Sequence, residues 1–215
     1  MISIIIPSYN EIKNIDALQT HLDQLRGDHD ILFTDGGSTD GTYEAIRYPK
    51  VRLAKGRGAQ MDAAVERMSG DILWFLHADT FPGPRAPEYI AQSGAPWGCF
   101  KLRFRSEKTM MRIVAFNSDN RVKYRHIAFG DQGIFIARAL YEEIGGFRHI
   151  PLMEDYDLSI RLKARGYVPA LLNDTLWTDA RRFEEHGIWH TILHMQRLQR
   201  AFRRGADPES LAKRY

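Results

Sequence analysis

Ile2-Ser3-Ile4-Ile5-Ile6-Pro7-Ser8-Tyr9-Asn10-Glu11 opens the chain. Isoleucine at every place but Ser3 across the first five of these residues, with no sustained polar alternation, reads as a short strand buried on both faces. Pro7 ends it. Ser8 and Glu11 then have the spacing of a capping box, ahead of a helix carrying Ile12, Ile15 and Leu18.

The pattern repeats outward. Asp30–Thr34 reads as a second strand, followed by the loop Asp35-Gly36-Gly37-Ser38-Thr39-Asp40-Gly41 and a helix from Thr42 to about Arg47. A strand near Val51–Leu53 leads through Gly56 and Gly58 to a helix ending near Met68, and Asp71–Leu76 is the most apolar strand. Four strands separated by helices within the first 80 residues predict βαβ units, hence an α/β fold with a mostly parallel central sheet flanked by helices, Rossmann-like in its first half. In such sheets ligands collect beyond the C-terminal strand ends. The polar clusters Ser8–Glu11, Asp35–Asp40 and His77–Thr80 fall at those ends.

Farther along, Phe81–Pro96 holds four of the nine prolines and reads as a surface connection. A strand is predicted over Trp97–Phe104, a helix over Glu107–Asn120, and a short apolar run at Ile134–Ile136. Helices ending at Gly145-Gly146 and spanning Tyr156–Arg165 follow, the second closed by Gly166. A long amphipathic helix is predicted from Glu184 to Arg204.

Composition narrows the function classes. The 215 residues are 44% apolar and 27% charged, ordinary for a globular protein and too apolar for a disordered one. Net charge is +3, so no strong nucleic-acid field is predicted. The single Cys99 excludes an internal disulfide framework and a Cys-built zinc site, and suits a reducing, cytoplasmic setting. No leader pattern is visible, and the longest apolar run, Ile72–Leu76, is far too short to span a bilayer.

Several residues carry chemistry only in one of two readings. Asp35 sits at a strand tip before two glycines, where it can take a nucleoside N–H or hydroxyl, or the loop simply caps the next helix. Asp79, with His77, follows the most buried strand and suits a hard divalent cation that also binds phosphates, or it starts a turn before Pro82. Glu154-Asp155 precedes a helix, as a general base or as a capping pair. Arg57 in Lys55-Gly56-Arg57-Gly58 faces a diphosphate or solvent; the Walker pattern and the Gly-x-Gly-x-x-Gly fingerprint are both missing. Arg181 and Arg182 can clamp a phosphate, and Arg197, Arg200, Arg203 and Arg204 can meet anionic lipid or form a solvated helix face. His186, His190 and His194 share one helical face, without a fourth ligand for zinc.

Taken in order, Ile4-Ile5-Ile6-Pro7-Ser8-Tyr9-Asn10-Glu11, Asp35-Gly-Gly-Ser-Thr-Asp-Gly-Thr42, His77-Ala-Asp79, Gly145-Gly146-Phe147 and Glu154-Asp155 resemble the family 2 glycosyltransferases of the GT-A fold. More narrowly, Gly56–Met61, Phe75–Thr80, Gly130–Phe135, Pro151–Asp155 and Ala180–Glu184 resemble the selenodomain-associated transferases. The resemblance covers nearly the whole chain. It implies one glycosyltransferase domain over 1–215, with a nucleotide-sugar half (1–80), an acceptor and catalytic-base half (81–180) and a C-terminal helical segment (181–215).

The resemblance also implies roles. Pro7, Tyr9 and Glu11 line the nucleoside, Asp35 reads the base edge, and Arg57 lies near the nucleotide. Asp79, with His77, holds a divalent cation, Mn or Mg. Asp155 is the catalytic base, with Glu154 beside it. Two departures stand out: His77 replaces a first acid, and Gly36 a second acid after Asp35. The Gln-x-x-Arg-Trp motif of processive synthases is missing. The implied partner is a nucleoside-diphosphate sugar, a UDP-sugar by resemblance, with an acceptor the sequence does not name and no nucleic acid. Trp177, Trp189 and the last helix suit contact between copies or with the inner membrane face. The alternative activities are a sugar-phosphate nucleotidyltransferase and a non-catalytic nucleotide-binding protein of the same fold.

Overall fold

The computed structural model describes all residues, Met1–Tyr215. In chain order the elements are β1 (Ile2–Ser8), α1 (Ile12–Leu22), β2 (His29–Asp35), α2 (Thr42–Ala45), β3 (Lys50–Arg52), α3 (Arg57–Val65), β4 (Ile72–Phe75), β5 (Thr80–Phe81), α4 (Ala86–Ser93), β6 (Trp97–Phe104), α5 (Thr109–Arg125), β7 (Phe135–Ala137), α6 (Arg138–Ile144), α7 (Glu154–Ala164), β8 (Ala170–Thr178), α8 (Arg181–His186), α9 (Ile188–Arg203) and α10 (Pro208–Ala212). A 3₁₀ turn covers Gly130–Gln132.

One eight-stranded sheet has the order β3-β2-β1-β4-β7-β6-β8-β5. β1 lies between β2 and β4, parallel to both, which is why its isoleucines show no polar face. Ile4 and Ile6 enter one apolar layer with Ile15 and Leu18 of α1, while Ile5 enters the opposite layer with Met61 of α3 and Leu158 of α7. β4 divides the same way, Trp74 to one side and Leu73 and Phe75 to the other. Helices on both faces of a mostly parallel sheet follow from this double burial.

Beyond β4 the strand direction changes. β7 runs antiparallel to both β4 and β6, and β8 is parallel to β6. β8 escapes sequence reading because Asn173-Asp174 interrupts its apolar run; the pairing with β6 jumps there, from Phe100↔Leu172 to Lys101↔Thr175. The proline-rich stretch expected to be a surface connection contains α4, with Pro87 in its first turn, where the missing N–H costs nothing.

Two further expectations are corrected. Ser8 is the last residue of β1, and α1 has no side-chain cap, so Ser8–Glu11 is not a capping box. Instead the Glu11 carboxylate accepts from the Asn14 amide at 2.9 Å and the Arg181 guanidinium at 3.3 Å. The single long C-terminal helix is broken at Gly187, whose φ of 80° cannot continue a right-handed helix. No helix is long and apolar enough to cross a membrane.

Candidate active site

The C-terminal ends of β1, β4 and β8, the Gly130–Gln132 turn and the start of α7 open onto one cleft of about 1280 Å³. Glu11, Arg57, His77, Asp79, Asp155, Arg181 and Arg182 all line it. Residues separated by more than 170 places in the chain meet there because parallel strands deliver their C-terminal ends to the same sheet edge.

Asp79 sits on the acidic side. Burial first, and then the like charges of Glu11, Asp131 and Asp179, push its carboxyl up to about 6. Its strand end is fixed by the Asp179 N–H, which donates to the Asp79 carbonyl at 3.1 Å, and by the hydroxyls of Thr80 and Thr178 at 3.3 Å. A carboxylate crowded by acids and lacking a cation of its own has the chemistry of a divalent-metal ligand. No three His, Cys, Asp or Glu side chains form a ready cage, however. That combination fits a hard cation held by one or two carboxylates and completed by substrate phosphates.

His77 lines the same cleft. Burial, and then Arg57, holds its imidazole well below the usual range, so the ring is neutral. Nε2 packs on Gly130, where an added Cβ would collide with it and lie 3.3 Å from the Asp155 carboxylate. His77 thus packs against the turn beside Asp155.

Asp155 is half-buried at the start of α7. Oδ2 accepts from the Gly130 N–H at 2.8 Å and Oδ1 from the Tyr156 N–H at 2.7 Å. Two backbone donors hold the carboxylate in one orientation while each oxygen keeps a lone pair for a substrate proton. Glu154 points elsewhere. It is 1% exposed and ion-paired with the Arg57 Nε. Burial opposes the Arg57 charge, but Glu154 and Asp155 outweigh it and raise its pKa. Gly58 allows this approach of α3 to α7, since a Cβ there would meet the Arg148 carbonyl at 2.7 Å. Glu154 is thus the anchor of Arg57, and Asp155 is the acid of the pair that lines the cleft.

On the basic side, the Arg181 N–H donates to Asp179 at 2.8 Å and the guanidinium pairs with Glu11. Arg182 lies with its cation 3.7 Å from the Tyr215 ring, and burial, then Arg57, lowers its pKa.

Three expected nucleoside residues do not line the cleft. Pro7 is buried within β1, paired with Thr34. The exposed Tyr9 ring carries the Lys55 ammonium at 3.9 Å. Asp35 is fully buried, and its oxygens accept from the N–H groups of Gly37 and Ser38 at 2.9 Å and from the Ser38 hydroxyl at 2.5 Å. These bonds also make Asp35 the organiser of its own glycine turn.

Three lining residues escaped the assignment of roles: Asp131, Asp179 and Arg121. Asp131 has a buried Oδ1 without a hydrogen-bond partner, and burial pushes its carboxyl up to about 6 against the pull of Arg121. Arg121 is spent on the Ile127 carbonyl, Gln132 and the Phe129 ring. Only the tight Gly130–Gly133 segment signalled Asp131; Asp179 and Arg121 sit in runs with no motif.

Residues 3–145, well over half of the chain, match the Glycosyl transferase family 2 profile. Among curated relatives, the chain is similar to the "Probable glycosyltransferase YdaM" of Bacillus subtilis, 22% identical over 198 residues, 77% of this chain and 47% of that protein. It is similar to the "Uncharacterized glycosyltransferase Rv1514c" of Mycobacterium tuberculosis, 26% identical over 163 residues, 68% of this chain and 62% of that protein. The chain thus spans about half to three fifths of the length of these relatives. Among solved structures it resembles the mannosyltransferase PcManGT from Pyrobaculum calidifontis, in complex with GDP-Man and Mn2+, with a TM-score of 0.64 and 17% identity over 93% of this chain and 60% of that one. With this profile match and a sheet that curls from a parallel half into a mixed one, the chain belongs to glycosyl transferase family 2 and adopts the GT-A fold.

Proposed function

We propose that the protein is an inverting glycosyltransferase moving a hexosyl group from a nucleoside-diphosphate sugar to an acceptor hydroxyl. One observation carries this reading: a backbone-oriented carboxylate, Asp155, shares a cleft with an acidic cation site at Asp79 and the cations of Arg57, Arg181 and Arg182. The solved relative with GDP-Man and Mn2+ supports the ligand class. The narrower kinship with selenodomain-associated transferases rests on the sequence stretches alone, and so does the division of the domain at residues 80 and 180.

Asp155 takes the proton of the acceptor hydroxyl as its oxygen forms a bond to the anomeric carbon. The bond from that carbon to the diphosphate oxygen breaks, and the leaving group departs with the electron pair. Arg57, Arg181 and Arg182 meet the negative charge that grows there. Asp79, with Glu11, Asp131 or Asp179 nearby, would hold the divalent cation, which supplies further charge neutralisation when bound. Asp35 keeps the Gly36–Asp40 loop closed beneath the nucleoside. Asp131, whose Oδ1 no protein group satisfies, accepts from a substrate hydroxyl.

Asp155→Asn tests the assignment. It keeps the Gly130 hydrogen bond and removes the base, so transfer falls roughly 10²–10⁴-fold while nucleotide binding stays. Turnover at the wild-type rate overturns it. Release of pyrophosphate, rather than nucleoside diphosphate, identifies a nucleotidyltransferase instead.

A further inference from the structure

Two helices form the outer walls of the cleft, and their outward faces share an unusual composition. On α5, Ile113, Phe116 and Tyr124 are 47%, 62% and 80% exposed. Their spacing of three and eight places puts them on one stripe. On α9, Trp189 and Leu193 are 67% and 51% exposed and one turn apart. Ile113, Tyr124 and Trp189 line the cleft as well, so the apolar stripes border its mouth.

Charge on the same helices has one sign. Arg112, Lys123 and Arg125 on α5 and Arg197, Arg200 and Arg203 on α9 are exposed, and none is in an ion pair. Arg204, just past α9, is exposed and unpaired too. α9 contains no acid, and the one acid of α5, Asp119, is buried against Arg103. The acids next along the chain, Glu107 before α5, Glu184 and Glu185 on α8, and Asp207 and Glu209 at α10, make no ion pair with these cations. Solvated helices normally mix charges, and an apolar face covered by protein would not need unpaired arginines around it.

We propose that this face docks on an anionic bilayer surface: aromatic and aliphatic tips enter the headgroup boundary, arginines and lysines meet lipid phosphates, and the cleft mouth faces the headgroup layer. Amphipathic faces of exposed tryptophan and leucine ringed by arginine bind in this manner. The occupant is lipid rather than nucleic acid because exposed apolar side chains share these helices with the arginines, Trp189 and Leu193 in the first turns of α9 and Arg197, Arg200 and Arg203 in the following ones. This inference is independent of the glycosyl-transfer reading, since it concerns only the outer face.

Co-sedimentation of the full chain with lipid vesicles tests it. Binding is expected to phosphatidylcholine vesicles containing about one third phosphatidylglycerol, not to phosphatidylcholine alone, and to weaken with salt. Phe116→Ser with Leu193→Ser is expected to reduce partitioning at least tenfold. Arg197→Gln with Arg204→Gln removes two cations, each worth roughly fivefold near an anionic surface, so about 25-fold together. None of these four residues lines the cleft, so stabilisation by nucleotide sugars in a thermal-shift assay stays at the wild-type level in both variants. No sedimentation of the wild type with the anionic vesicles overturns the proposal. So does binding that both variants retain, or a dimer in solution that the Phe116/Leu193 variant dissociates, which would make a second copy the occupant.

Discussion

Replacing Arg57 by methionine should destabilise the protein in a pH-dependent way, through a residue it does not itself change. Arg57 is 37% exposed in its side chain and Glu154 1%, so the variant leaves a carboxylate in the interior with no counter-charge. Removing one partner of a fully buried pair costs about 3–5 kcal/mol. The guanidinium here is partly solvated, which screens the interaction, so about 2–3 kcal/mol is expected. In a chain of this length that corresponds to roughly 4–12 °C in Tm.

The sign with pH follows from Glu154. Burial pushes its carboxyl up, Arg57 pulls it down, and Asp155 pushes it further up. Without Arg57 the folded-state pKa lies well above that of the unfolded chain. A carboxyl raised on folding adds no penalty while it is protonated in both states, and costs stability as pH climbs above the unfolded value. The variant should therefore lag the wild type most at pH 8 and approach it near pH 4. Arg57→Met combined with Glu154→Gln should recover most of the loss at pH 8. Thermal and urea melts of the four proteins at both pH values measure this. Equal penalties at pH 4 and pH 8, or no recovery in the double variant, would refute the ion-pair account.

Three other variants have expected outcomes. Asp131→Asn should raise Tm at pH 8 by removing a carboxyl that burial pushes up to about 6, an effect on the order of 1–3 kcal/mol that fades towards pH 4, where melts would compare the two proteins. The same variant should bind nucleotide sugar more weakly, which calorimetry measures. Gly130→Ala forces a Cβ against His77 and Asp155 and should lower the transfer rate at least tenfold with little change in nucleotide affinity, read as a kcat loss without a KM change. Asp79→Ala should remove the manganese-dependent part of nucleoside diphosphate binding in a titration with and without the ion; equal affinities in both would remove Asp79 from the cation site.

The first four strands and their helices were legible because their information is local. β1 is apolar without alternation since both its faces are covered, and its isoleucines announce a central parallel strand before any partner is known. The placement of Asp79 and Asp155 at one cleft was legible for a related reason, since each follows or begins an element at the C-terminal edge of such a sheet, while the roles expected of them came from the resemblance and local pattern did not give them. What the tertiary structure alone decided is how side chains were spent. Asp35 lost its availability to Gly37 and Ser38, and Glu154 was drawn to Arg57, 97 residues away. His77 turned to Gly130, while Asp131, inconspicuous in the chain, was left without a donor. β8 became a strand only because β6 offered it an edge across a bulge. Periodicity records which face of an element is dry, and so predicts elements. Hydrogen-bond and charge partnerships depend on packing between distant segments, which no local pattern encodes.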